Sequence, residues 1–102
     1  KNKYLHKINQ ICIFEIKYLN ITIMTILELA KELDIFYKIG QERKECNALI
    51  QCFGIKYADY INNHKIKPED ILEKSCLKGT SYSTEIRKGI KLSKYVYLKE
   101  NI

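Results

Sequence analysis

The side chains in this sequence that could do chemistry are mainly cations, and the first group lies where two helical patterns meet. The string KIG at residues 38–40 predicts a tight turn between a helix ending near Tyr37 and a second helix over residues 41–53. The start of a helix leaves backbone N–H groups unpaired and carries the positive end of the helix dipole, so it can hold a phosphate. We therefore predict a nucleic-acid contact at this corner. Its residues are Lys38, Gly40, Gln41, Arg43 and Lys44.

The second group of cations lies on the last helix that the sequence predicts, which runs from Glu85 towards Lys99. Spacings of three and four residues place these cations on one face, and no acidic residue stands between them. Like charges on one face repel each other, and a polyanion bound there would turn that repulsion into attraction. We predict a second line of contacts with a nucleic-acid backbone, although a solvated surface helix would show the same pattern. The residues are Arg87, Lys88, Lys91 and Lys94.

Catalytic and metal-binding patterns are not found in the sequence. The four cysteines form no Cys-x-x-Cys pair, and Cys46 and Cys52 lie on different faces of a helix. Neither histidine, His6 or His64, has a cysteine or carboxylate at a spacing that suggests a ligand set or a nucleophile. Gly40 lacks the further glycines and the Lys-Ser or Lys-Thr pair of a nucleotide-binding loop. We therefore expect no enzyme activity, no metal and no cofactor.

Composition is consistent with a small domain that binds a polyanion. The chain has 102 residues, with 18 Lys plus Arg against 12 Asp plus Glu, for a net charge of +6. This length allows one modest hydrophobic core, and the charge favours a polyanionic partner. Lys, Ile, Asn and Tyr are abundant and have AT-rich codons, which indicates an AT-biased genome. Part of the positive charge therefore reflects mutational bias.

The N-terminal part of the sequence differs from the rest. We interpret residues 1–16 as an extension and residues 17–102 as one domain. Residues 11–26 are apolar, but Glu15 and Lys17 interrupt them, so we expect no membrane span. Apolar residues at every second position in this stretch predict short strands instead.

Helical periodicity dominates from Thr25 onwards. Thr25 and Glu28 form a candidate capping box for the first helix, and Gly54 is a candidate stop for the second. A connector is expected over residues 55–66, and Pro68 then opens a short helix. We predict a mainly α, helix–two-turn–helix small domain with short N-terminal strands and a long C-terminal helix. The predicted core stripes are Ile26, Leu29, Ala30, Leu33 and Tyr37; Cys46, Leu49, Ile50 and Phe53; Ile71 and Leu72; and Ile86, Ile90 and Tyr97.

Two strings in the first half resemble the family of small-subunit ribosomal protein thirteen. KYLNITI at residues 17–23 is similar to that family's Arg-Ile-Ala-Gly-Val-Asn-Ile opening. ELDIFYKIG at residues 32–40 is similar to its Ala-Leu-Thr-x-Ile-Tyr-Gly-Ile-Gly helix end and turn. Arg43 corresponds to the family's arginine after the turn, and Gly54-Ile55 corresponds to its Gly-Ile helix stop.

The second half contains two further similar strings in the same order. KPEDI at residues 67–71 resembles the family's Ser-Glu-Glu-Gln-Ile helix start, and IRKGI at residues 86–90 resembles its Leu-Arg-Arg-x-Ile start. The sequence departs from the family at Lys38, which replaces the first glycine of the turn. The family's Arg-rich C-terminal tail, which reaches towards tRNA, has no counterpart up to Ile102.

This resemblance implies a structural rRNA-binding protein in the head of the small ribosomal subunit, where it supports translation. The implied partners are small-subunit rRNA, small-subunit protein nineteen and, across an intersubunit bridge, large-subunit protein five. The implied location is a mitochondrial ribosome, with a plastid or an AT-rich bacterial cytoplasm as alternatives. The two groups of cations described above would contact rRNA phosphates.

Two other interpretations remain open. The corner could belong to a free helix–turn–helix nucleic-acid-binding module outside the ribosome. Alternatively, the chain could be a protein-interaction domain in which the corner is a packing device and the lysines are codon bias alone. Salt dependence separates the last possibility from the others, because phosphate contacts weaken steeply as salt rises.

Overall fold

The computed structural model describes residues 26–102, which form a small helical domain without strands in that range. Helix α1 occupies residues 26–43, and α2 spans Cys46–Asn63. The short helix α3 covers Pro68–Glu73, and α4 covers Ser83–Leu92. The mainly α fold class is therefore confirmed. The predicted strands, the extension over residues 1–16 and the proposed cap at Thr25 lie outside the described residues.

The core joins the inner faces of all four helices. Helix α1 contributes a stripe that includes Leu33 and Phe36, both fully buried. The Phe36 ring meets Phe53 of α2 edge to face, with ring centroids 5.8 Å apart. Burying each such side chain removes apolar surface from water, which stabilises the fold by roughly 1.5–3 kcal/mol per side chain. The remaining fully buried large side chains are Ile50, Ile61, Ile71 and Ile86.

The predicted core stripes are largely confirmed. Leu29, Ala30, Leu33, Leu49, Ile50, Phe53, Ile71, Leu72 and Ile86 are all buried. Ile26, Tyr37, Cys46 and Ile90 are only partly buried. Tyr97 is wrongly placed, because it lies beyond α4 and its side chain is 96% exposed.

The turn between the first two helices was predicted in the wrong place. Helix α1 continues through residues 38–40, and the connection to α2 consists of Lys44 and Glu45 alone. The Glu45 N–H donates to the Gly40 carbonyl at 2.7 Å, and the Lys44 N–H donates to the Gln41 carbonyl at 3.2 Å. This is a Schellman arrangement, in which the left-handed residue is usually glycine. Here that residue is Lys44, with φ of 59°.

The end of α2 repeats the same arrangement. The Ile66 N–H donates to the Ile61 carbonyl at 3.0 Å, and the Lys65 N–H donates to the Asn62 carbonyl at 3.2 Å. Lys65 has φ of 53° and takes the left-handed position. Helix α2 therefore includes most of the stretch over residues 55–66 that was predicted as a connector, and that prediction is wrong.

Gly40 and Gly54 are close-packing positions and not helix boundaries. A Cβ on Gly40 would lie 2.8 Å from the Cα of Cys46, where α1 and α2 meet. Gly54 lies inside α2, and a Cβ there would lie 3.0 Å from the Cα of Gly89 in α4. The predicted stop at Gly54 is therefore wrong. The glycines let the helix backbones approach each other where any side chain would intervene.

Helix α3 begins where the sequence predicted. Pro68 occupies its first turn, where a missing N–H costs nothing, and Glu69 and Asp70 follow near the positive end of the helix. The loop to α4 is tied down by the buried side chain of Leu77 and by a bond from the Cys76 N–H to the Asp34 carboxylate at 3.0 Å. The loop therefore holds α3 and α4 against the core.

Candidate nucleic-acid interface

Helix α4 turns one side to the core and the other to solvent. Ile86 and Gly89 are buried against α2, and the Gly54–Gly89 contact sets the crossing of the two helices. Thr84, Arg87 and Lys91 are exposed and recur at spacings of three and four, so they form a continuous outer face. The helix ends at Leu92, and the prediction that it continues towards Lys99 is wrong.

Arg87 is engaged with an acidic partner that the sequence analysis missed. Its guanidinium forms two hydrogen bonds with the Glu69 carboxylate, the longer at 2.7 Å. The Arg87 hydrogen bonds lower the pKa of Glu69 to about 2. Arg87 remains half exposed, so a phosphate that approached it would compete with a carboxylate already in place.

Lys88 also has a nearby carboxylate. Its ammonium lies 3.3 Å from Glu85, one turn earlier on α4. Glu85 accepts a further hydrogen bond from the side chain of Gln51 on α2 at 2.6 Å. The hydrogen bond from Gln51 is the main reason that the pKa of Glu85 is lowered, and Lys88 lowers that pKa further. No acidic residue stands between the four cations, but carboxylates from outside that stretch pair with Arg87 and Lys88, so the expected repulsion is offset at these two positions.

Lys91 and Lys94 are the cations of this group that keep free charge. Both are exposed, and neither forms an ion pair with any carboxylate in residues 26–102. Lys91 lies in the last turn of α4, and Lys94 lies in the turn that follows Leu92. The free positive charge of this surface is thus concentrated at the C-terminal end of α4. We call Arg87, Lys88, Lys91 and Lys94 together the α4 cationic face.

The corner between α1 and α2 contains the other predicted cations in a different arrangement. Lys38 is exposed inside α1, and Gly40 is buried at the helix crossing, so neither lies at a helix start. Gln41 is exposed on the last turn of α1. Arg43 forms two hydrogen bonds with Glu100, the shorter at 3.0 Å, and Lys44 is exposed in the turn.

The free amides of the second helix begin later than predicted. The first backbone bond of α2 runs from the Leu49 N–H to the Glu45 carbonyl at 3.0 Å, and Glu45 provides no side-chain cap. Gly40 and Gln41, where the phosphate contact was predicted, therefore lie inside α1 and not at the start of a helix. A charge-bearing corner remains, formed by Arg43 and Lys44.

The acidic partners were missed for a simple reason. Glu69 is 18 positions from Arg87, and Glu100 is 57 positions from Arg43. Their approach depends on how the helices pack, and a single sequence contains no local signal of that packing. The i,i+3 spacing of Glu85 and Lys88 was a usable signal.

Metal sites and membrane spans are not found in the part of the chain that the structure describes. Within residues 26–102, no group of three or more His, Cys, Asp or Glu side chains is arranged to hold a metal ion. No helix in that range is both long and apolar enough to cross a membrane.

Comparison with known proteins gives one finding. The sequence profile of a family described as an HTH-like domain matches residues 25–99, which is most of the chain. No curated protein and no solved structure gives a significant match. The profile match overturns the resemblance to small-subunit ribosomal protein thirteen, and the expectations of a ribosomal role and a mitochondrial location are corrected with it. The implied protein partners rested on that resemblance alone.

Proposed function

The chain belongs to the HTH-like domain family, and from this premise we propose that it is a nucleic-acid-binding module that performs no catalysis. The proposed interface is the α4 cationic face. In this reading α4 supplies side chains to the nucleic acid, while α2 and the loop after α3 hold it in place. The cations act on phosphates, which position a protein on nucleic acid without reading the base sequence.

One observation supports this proposal above the others. Lys91 is exposed on α4, whose opposite side is fixed in the core, and Lys94 is exposed in the turn directly after it. No described carboxylate forms an ion pair with either lysine. Fixing α4 through Ile86 and Gly89 means that little conformational freedom is lost when a ligand binds there. A flexible tail with the same charge would lose more.

The corner formed by Arg43 and Lys44 is the secondary candidate. Lys44 is exposed beside the uncapped start of α2, which favours an anion. Arg43 is held by Glu100, so a phosphate there would compete with an existing ion pair. We therefore assign the corner a smaller share of the binding free energy than Lys91 and Lys94. Lys38, Gly40 and Gln41 are not included in this proposed interface.

The test is the salt dependence of binding to labelled duplex and single-stranded oligonucleotides, followed by fluorescence anisotropy. Replacing Lys91 and Lys94 by Gln removes two charges from the α4 cationic face. If each contacts one phosphate of a DNA duplex, the slope of log K against log salt falls by about 2. The matched control replaces Lys31 and Lys74 by Gln, which removes the same charge from exposed positions outside α4.

The outcomes distinguish the proposed interface from general charge. A smaller slope in the α4 variant, with the control unchanged, supports the proposal. An equal decrease of the slope in both variants would show that net charge alone drives binding, and the assignment of the interface to α4 would be wrong. Failure of the unmodified chain to bind any oligonucleotide at low salt would refute the nucleic-acid function itself.

A further inference from the structure

Two tyrosines after α4 differ from the other tyrosines in residues 26–102. Tyr95 and Tyr97 are 81% and 96% exposed, the highest values among the large apolar side chains of that range. The others are engaged by neighbours. Tyr37 meets Tyr82 at a centroid distance of 5.6 Å, Tyr57 packs on Phe53 and donates to Glu32, and Tyr60 stacks on His64 at 4.0 Å.

The two exposed rings belong to residues only two positions apart in the chain. Tyr95 closes a turn, and residues 96–98 are neither helix nor turn. Two residues of chain separate the Cα atoms by at most about 7 Å. Stacked planes lie about 3.4 Å apart, so two rings on either side of one base would be about 7 Å apart, and the length of chain between Tyr95 and Tyr97 allows this separation. Neither ring is occupied by another aromatic ring of the described residues.

Positive charge brackets the same segment. Lys91 and Lys94 precede Tyr95, and Lys99 follows Tyr97 by two positions. All three lysines are exposed. The pair of rings therefore has cations on both sides along the chain, where they could contact the phosphates that flank a stacked base. Proteins that bind single strands combine a basic surface with such stacking rings.

The segment is anchored on both sides of the tyrosines. Before them, the Tyr95 and Val96 N–H groups donate to the Leu92 carbonyl at 2.8 and 3.1 Å. After them, Glu100 holds Arg43, and the Lys56 ammonium donates to the Ile102 carbonyl at 2.7 Å. Anchoring lowers the conformational entropy that binding would otherwise remove.

We propose that Tyr95 and Tyr97 form a stacking surface for unpaired bases of a single-stranded nucleic acid, with its phosphates at Lys91 and Lys94. This inference rests on the proposed function and names the form of nucleic acid that the α4 end prefers. In a duplex the bases are already stacked on each other, so the rings have no free base face to cover. The segment therefore favours single strands over duplexes.

The experiment compares an oligo-dT single strand with a duplex of the same length, both labelled for anisotropy. The stacking variant replaces Tyr95 and Tyr97 by Ala, and the matched control replaces both by Phe, which keeps the rings. Loss of stacking on one base lowers single-strand affinity about 5- to 150-fold. Affinity for the duplex stays within about twofold, and the Phe variant binds the single strand like the parent.

A direct spectroscopic measurement accompanies the affinities. The chain contains no tryptophan, so tyrosine emission can be followed without interference. Stacking on a base quenches the emission of the ring involved. We expect the unmodified chain to lose emission on titration with oligo-dT, and the Ala variant to lose markedly less.

The contrary outcomes are distinct. If the unmodified chain binds oligonucleotides but the Ala variant binds single strands equally well, the stacking inference is refuted and the proposed function survives. If the unmodified chain binds no oligonucleotide, both are refuted. If sedimentation shows a dimer that dissociates in the Ala variant while single-strand binding is unchanged, the tyrosines are a contact between copies and the inference is refuted.

Discussion

Replacing Gly89 by Ala is expected to destabilise the domain by forcing α2 and α4 apart. A Cβ at this position would lie 2.9 Å from the Gln51 carbonyl carbon and closer still to its oxygen. It would also lie 3.0 Å from the Cα of Gly54. These neighbours are backbone atoms of a long helix, so no side-chain rotation can relieve the contact. Helix α4 must move, and the packing of Ile86 must loosen.

The size of the effect follows from two opposing contributions. Overpacking a close contact costs about 1–3 kcal/mol. The gain in helix propensity from Gly to Ala offsets this by about 1 kcal/mol. Because the added Cβ would meet a carbonyl oxygen inside contact distance, the cost lies near the upper end of its range. We expect the free energy of unfolding to fall by about 2 kcal/mol, which lowers Tm by roughly 8–16 °C for a domain of this size.

The assay is urea and thermal unfolding followed by far-UV circular dichroism, with the Gly54→Ala variant and the double variant beside Gly89→Ala. A Cβ on Gly54 also meets α4 backbone, so one helix displacement accommodates both methyl groups. The free energy of unfolding should therefore fall less in the double variant than the sum of its decreases in the two single variants. Exposed Lys88→Ala serves as the control within α4. A Gly89→Ala variant as stable as the parent, or strictly additive losses, would refute the close-packing argument.

Three further predictions concern single side chains. Lys65→Gly should raise the free energy of unfolding by about 1 kcal/mol in urea titrations, because glycine adopts the left-handed conformation without strain; an unchanged midpoint would contradict this. Arg87 lowers the pKa of Glu69 from 4.5 to about 2, so Glu69 should contribute stability that is lost as pH falls from about 4.5 towards 2. In the Glu69→Gln variant the free energy of unfolding should therefore depend less on pH in that window. Tyr57 has its pKa raised to about 12 by burial and by Glu32, so Glu32→Gln should shift its ultraviolet titration towards the ordinary value of 10, and an unmoved titration would contradict the assignment.

The sequence was a good guide to which residues are buried and a poor one to where helices end. Leu33, Ile50 and Phe53 could be placed because helical periodicity records which side of a helix faces the core. Glycine is the usual sequence signal for the end of a helix, but at the ends of α1 and α2 the left-handed residue is a lysine. Gly40 and Gly54 serve close packing, while Lys44 and Lys65 adopt the left-handed conformation.

This reversal has a physical basis. A glycine can serve backbone conformation or close approach between elements, and only the position of a neighbouring helix distinguishes the two uses. Gly54 is explained by Gly89, which is 35 positions later in the chain. A lysine in the left-handed region is tolerated because the Schellman bonds around it satisfy the last carbonyls of the helix.

The candidate interface was predictable in part. The spacing of Arg87, Lys88 and Lys91 placed them correctly on the outer side of α4. The partner of Arg87 comes from α3, so the neutralising effect of Glu69 could be seen only in the packed fold. Helical periodicity also extended the last helix too far, which hid the exposure of Tyr97.

The charge and the aromatic exposure at the end of α4 carry different weight as indications of binding. Lys91 lies near the negative end of the helix dipole, which alone stabilises a cation by about 0.3–1 kcal/mol, so its presence needs no ligand. Nothing comparable within residues 26–102 accounts for the exposure of Tyr95 and Tyr97. Burying a large apolar side chain stabilises a fold by roughly 1.5–3 kcal/mol, and this domain forgoes that gain twice within three residues. A ligand with flat apolar faces and negative charge would use both features together. Tyr and Lys both have AT-rich codons, so the abundance of neither indicates binding, and the exposure of these two rings is the stronger indication.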